Sequence, residues 1–176
     1  MLKLGYTVDA GPGWAPVDLT TAGATGIRTC LKNAQSCIFL VDLAAAASGT
    51  EDVVLTLKEH TAASGGTTTN LGTLAGSVDG VTVWWIKSAT VLAGTEQWVK
   101  QTQASGATIT IPGATYAAKQ CKVAVQINTK DLDDGYDYVS CSVADPGSVS
   151  RLGSCSVLLT DLTVRRDPSL LAATLF

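Results

Sequence analysis

A chain of 176 residues, 46% apolar and only 15% charged, is long enough to bury one sizeable core and too short to divide between two. Its formal charge of −3 offers no long-range attraction to nucleic acid or anionic lipid. Its longest apolar runs, such as Cys37-Ile38-Phe39-Leu40-Val41, fall far short of a membrane-spanning helix, so neither a nucleic-acid nor a membrane partner is expected.

In chain order, residues 1–20 hold no apolar run of secretory-signal length, which points to a protein made and kept in a cytosol. They pass through Asp9-Ala10-Gly11-Pro12-Gly13-Trp14-Ala15-Pro16, an irregular N-terminal segment that leaves Trp14 for an interface. Strands are predicted at residues 4–8, 36–43, 53–60, 81–87, 97–102, 107–111, 121–127, 138–143 and 155–164, most of them rich in Val, Ile, Thr and Trp. Glycines between them close a strand every ten or so residues. Residues 44–47 have room for at most one helical turn. Residues 61–77, rich in Thr, Gly, Ala and Ser, read as a loop at the rim, with a weak strand near 71–74 as the other reading.

The alternation is clearest at residues 121–127, where Cys121, Val123, Val125 and Ile127 interleave with Lys122, Ala124 and Gln126, the pattern of a half-buried strand. Residues 138–143 repeat it. With Asp131-Leu132-Asp133-Asp134-Gly135 as the turn, the two segments suggest an antiparallel hairpin that sets Cys121 or Val123 on one buried face with Cys141 and Val143. Asp167-Pro168 stops the last strand, and Leu170, Leu171, Leu175 and Phe176 follow as an apolar tail. The fold class is therefore all-β, an antiparallel β-sandwich or jelly roll with extended N- and C-terminal segments. One domain spans residues 21–166, between the segment 1–20 and a C-terminal arm, 167–176.

Little in the chain carries chemistry. His60 is the single histidine and reads as an edge or surface residue, and the nucleophile-elbow, P-loop, dinucleotide and zinc-protease motifs do not occur. No catalytic or cofactor-binding residue is assigned and no cofactor is expected. Five cysteines, Cys30, Cys37, Cys121, Cys141 and Cys155, form an odd set without a C-x-x-C pair, which reads as buried free thiols. Oxygen ligands concentrate only at Asp131, Asp133, Asp134 and Asp137, weak metal candidates for a hard cation such as calcium. Position twelve from Asp131 is Ser142 where an EF-hand has Glu, and the cluster fits a turn better. Trp84 and Trp85, being adjacent in a strand, point to opposite faces. With Trp98 near in sequence, an outward tryptophan raises the alternative of a carbohydrate-binding face, against aromatic anchoring of an oligomer contact.

The strand Ser36-Cys-Ile-Phe-Leu-Val-Asp-Leu43, followed by an Ala/Ser/Gly-rich turn and Val53-Val-Leu-Thr-Leu-Lys-Glu-His60, resembles the small β-sandwich or jelly-roll decoration (cement) proteins of tailed bacteriophages. The later segments Ala124-Val-Gln-Ile127, Tyr138-Val-Ser-Cys-Ser-Val143 and Leu162-Thr-Val-Arg-Arg-Asp-Pro-Ser-Leu-Leu171 resemble their closing strands and tail. The resemblance implies a virion protein on the capsid surface, made in the host cytoplasm, with the major capsid protein as partner and self-association as a homotrimer. Trp14, Pro168, Leu170, Leu171, Leu175 and Phe176 are the interface residues expected on this reading. A tail or head–tail connector component and a carbohydrate-binding sandwich are the alternatives.

Overall fold

A computed structural model of the chain describes residues 4–72, 80–147 and 150–164. In chain order the strands are β1 (Val8–Asp18), β2 (Thr29–Cys30), β3 (Ala34–Leu43), β4 (Val53–His60), β5 (Thr68–Asn70), β6 (Val81–Ala89), β7 (Val99–Gly106), β8 (Thr108–Ile111), β9 (Gln120–Asn128), β10 (Tyr138–Val143) and β11 (Leu152–Leu162), with a short helix α1 (Gly113–Tyr116). Six of them form an antiparallel sheet in the order β1-β11-β3-β9-β6-β7. The second sheet runs β2-β10-β4. The far edge of β4 is shared, with β8 against Val53–Thr56 and β5 against Lys58–His60.

The two sheets pack as a sandwich because their strands alternate. Cys37, Phe39, Val41 and Leu43 of β3 and Val123, Val125 and Ile127 of β9 meet Val53, Leu55 and Leu57 of β4 and Val139, Cys141 and Val143 of β10 in one core. Fully burying side chains of this size stabilises the fold by about 1.5–3 kcal/mol each.

Two sequence expectations are corrected. Residues 8–18, read as irregular, form β1. Its Pro12 and Pro16 are tolerated because β1 is an edge strand, and its register shifts between Pro12 and Trp14 and again between Trp14 and Val17. Trp14 faces inward and is 3% exposed, over Gly153, where a Cβ would meet Trp14, Leu19 and Leu43 at 3.2 Å each. It is a core residue and offers no side chain to a partner.

The second correction concerns β9 and β10, which are not a hairpin, since they lie in different sheets. Residues 129–137 cross between the sheets, a connection too long for a tight hairpin of two to five residues. The crossing opens with a 3₁₀ turn at Thr129–Asp131, closed by reciprocal capping between Asn128 and Asp131. Cys121 and Cys141 thus share the core from opposite walls. Residues 44–47, with room for at most one helical turn, form none. Within 61–77, read as a loop, β5 forms at Thr68–Asn70 just before the buried Leu71, and the weak strand considered near 71–74 lies partly outside the described residues. Pro168, Leu170, Leu171, Leu175 and Phe176 lie outside the described residues.

All five cysteines are free, and Cys37, Cys121, Cys141 and Cys155 are buried while Cys30 is half-buried. Burial pushes the Cys37 thiol well above its ordinary range. Native protein treated with a thiol reagent should therefore react quickly at Cys30 and slowly at the other four. Rapid modification of four or five thiols without denaturant would contradict this burial.

Candidate functional site

The outward-facing residues of the six-stranded sheet build the most distinctive surface of the molecule. Register sets them in rows. Ala10, Leu158, Ile38 and Gln126 stand side by side across β1, β11, β3 and β9. In the next row Leu40, Ala124, Trp85 and Lys100 run from β3 to β7. Solvent-facing positions of an antiparallel sheet are ordinarily polar; here apolar side chains occupy the middle of both rows.

Ile38, Leu40, Trp85, Trp98, Ala124, Gln126 and Leu158 enclose a groove of about 340 Å³. From Leu158 on β11 to Trp85 on β6 it crosses three strand spacings, about 14 Å. Trp98, immediately before β7, is 41% exposed and walls one end, with Lys87 Nζ lying 4.9 Å from the centre of its ring, a cation–π contact. Lys122, opposite Lys87 on β9, forms an ion pair of 2.6 Å with Asp42. An apolar floor, two indole rings and a lysine-rich border form a surface suited to receiving apolar side chains of a protein. Gln126 is the one polar side chain in the lining, so the groove presents few hydrogen-bonding groups to sugar hydroxyls.

Sequence parity correctly separates the two tryptophans of β6: Trp84 is buried at 4% exposure, and Trp85 faces the groove. The floor residues Ile38, Leu40 and Leu158 are not among the sequence candidates. Their signal is present, because consecutive apolar residues such as Ile38-Phe39-Leu40-Val41 make both faces of a strand apolar when only one face has a core to fill.

The acidic cluster does not converge. Asp131 accepts the Asn128 backbone N–H at 3.0 Å, Asp137 pairs with Lys32 at 3.0 Å, and Asp134 is exposed. Asp133 turns inward, where its backbone N–H donates to Glu59 Oε2 at 3.0 Å. Glu59 is fully buried and also accepts the Thr69 hydroxyl at 3.1 Å. Burial, and then the neighbouring Asp133 carboxyl, raise the Glu59 pKa. Among the described residues no three His, Cys, Asp or Glu side chains group as a metal site.

His60 is 4% exposed, which corrects its reading as an edge or surface residue. The loop after β4 folds over it, held by Arg28, whose guanidinium donates to the carbonyls of Ala62 at 2.7 Å and Gly65 at 2.6 Å. Its ring nitrogens contact the hydroxyls of Thr68 on β5 and Ser140 on β10, each at 2.8 Å, so one imidazole ties three strands together. Burial, then the charges of Arg28 and Lys58, lower its pKa to about 4 and keep it neutral near pH 7. Ser140 is 2% exposed and is sealed from any substrate, so this Ser–His contact cannot act as a nucleophile and base.

No family model, curated protein or solved structure matches the chain.

Proposed function

We propose that the chain is a non-enzymatic virion structural protein, a capsid decoration (cement) protein that binds the outside of an assembled phage head and associates with copies of itself as a homotrimer. The observation that carries this reading is the groove between Trp85 and Trp98. A contiguous apolar, aromatic patch on a protein surface marks an interaction site, and tryptophan is the residue most enriched among energetic anchors of such sites. The resemblance of the strands and tail to decoration proteins supplies the shell as the partner. On this reading the groove is the contact between copies, and the major capsid protein is bound through other surfaces.

Cosedimentation tests the proposal. Purified protein should pellet with expanded, assembled capsids and stay in the supernatant with unassembled capsid subunits. Equal binding to both forms, or binding to tail tubes alone, would reject it. Trp85 and Trp98 also favour a second reading, a sugar-binding face, which requires binding on a glycan array that is lost in Trp98→Ala.

A further inference from the structure

We infer that the groove between Trp85 and Trp98 receives residues 165–176 of a neighbouring copy, a proposal that rests on the self-association reading and names the group that fills the contact. Residues 165–176 read Arg-Arg-Asp-Pro-Ser-Leu-Leu-Ala-Ala-Thr-Leu-Phe. The groove is floored by aliphatic side chains and walled by two indoles, and Leu170, Leu171, Leu175 and Phe176 are of the type such a lining accepts.

Where the described chain stops favours a neighbour over the same copy. Leu162 still pairs with Ala34, and the Thr163 N–H donates to the Asn33 carbonyl at 2.9 Å. β11 thus leads away from Leu158 and the groove as far as Leu162, and the chain bends at Thr163 and Val164. The twelve residues beyond Val164, at up to about 3.3 Å each, can reach about 40 Å, far enough for their apolar side chains to meet the face of a neighbour. Return to its own groove would instead require the chain to double back over about 20 Å to the level of Leu158. Exchange of one such segment per copy is a heterologous contact, and it generates a closed ring when the rotation between copies closes.

Four samples test the inference: the full chain, a chain lacking residues 165–176, Trp98→Ala, and the truncated chain carrying Trp98→Ala, each by sedimentation velocity and tryptophan emission. The full chain is expected to be oligomeric and the truncated chain monomeric, with self-association weakened about 100-fold or more. A synthetic peptide of residues 165–176 should shift the emission of the truncated chain to the blue and leave truncated Trp98→Ala unchanged. Assembly intact after truncation but lost in Trp98→Ala overturns the inference and spares the self-association reading. A monomeric full chain with emission bluer than the truncated one means that the segment docks on its own copy and also overturns the inference. A monomeric full chain with emission unchanged by truncation defeats both.

Discussion

Replacing Trp84 by alanine should destabilise the domain by about 3–5 kcal/mol, whereas replacing its neighbour Trp85 should change stability by less than about 1 kcal/mol and weaken self-association about 30-fold. The two residues differ only in the face they occupy. Trp84 points between the sheets and is 4% exposed, so its removal leaves a cavity that the strands around it cannot collapse to fill. Trp85 stands on the outer face over Ala124 and beside Trp98, and its loss exposes no core atoms. The association estimate takes the indole as an anchor worth about 2 kcal/mol, which is about 30-fold in affinity. Chemical denaturation and sedimentation velocity on the two variants give the four numbers required. A Trp85→Ala chain as unstable as Trp84→Ala would show that the outer face is part of the folded core; one as stable as wild type with undiminished association would remove the groove as the contact.

The contrast also shows how the site could be read in advance, and how far. Alternation within β6 and β9 is legible because each strand has one core-facing side, and the β-rich class follows from it. The edge strand β1 is obscured by Gly11, Pro12, Gly13 and Pro16. These residues break interior strands, and the sequence does not reveal that this strand has only one partner. The placement of β9 and β10 in opposite sheets is hidden for a related reason: Asp-Gly chemistry marks a change of direction without distinguishing a turn within a sheet from a crossing between sheets. Burial of His60 depends on Arg28, thirty-two positions upstream, holding the 61–67 loop across it, a contact no local pattern encodes. The aromatic wall of the groove, Trp85 and Trp98, is accessible from parity and proximity. Its floor is assembled from β3, β9 and β11, and emerges only once the strand order puts Leu158, Ile38 and Ala124 on adjacent rows.

Glu59→Gln should make the protein more stable than wild type at neutral and alkaline pH, by a margin that opens above about pH 4.5 and then levels off. Glu59 projects from β4 into the sandwich beneath the 129–137 crossing, fully buried, with the Asp133 carboxyl beside it and Asp133 Oδ2 buried without a hydrogen-bond partner. Desolvation, and then the proximity of that second carboxyl, raise the Glu59 pKa above its ordinary value of 4.5. The folded chain therefore holds a proton that the unfolded chain releases. Below about pH 4.5 both states are protonated at this position and it contributes no slope. As pH rises from there toward the folded-state pKa, the native state binds more protons than the unfolded state, so stability falls, by up to about 1.4 kcal/mol per pH unit; beyond that pKa the loss is complete and constant. His60 acts in the opposite sense. Its pKa is lowered to about 4, so its contribution is lost as pH falls from about 6.5, which partly masks the Glu59 slope in the wild type. Glutamine cannot ionise, and its carbonyl can still accept the Asp133 N–H while its amide donates to the Thr69 hydroxyl, which turns to accept. Subtracting the wild-type unfolding free energy from that of Glu59→Gln, measured by urea titration at intervals from pH 4 to 9, cancels His60. The difference should be small at pH 4, open upward above pH 4.5 and level off; a difference that is flat, or that closes as pH rises, would show that Glu59 is held as a carboxylate and that its surroundings favour the charge.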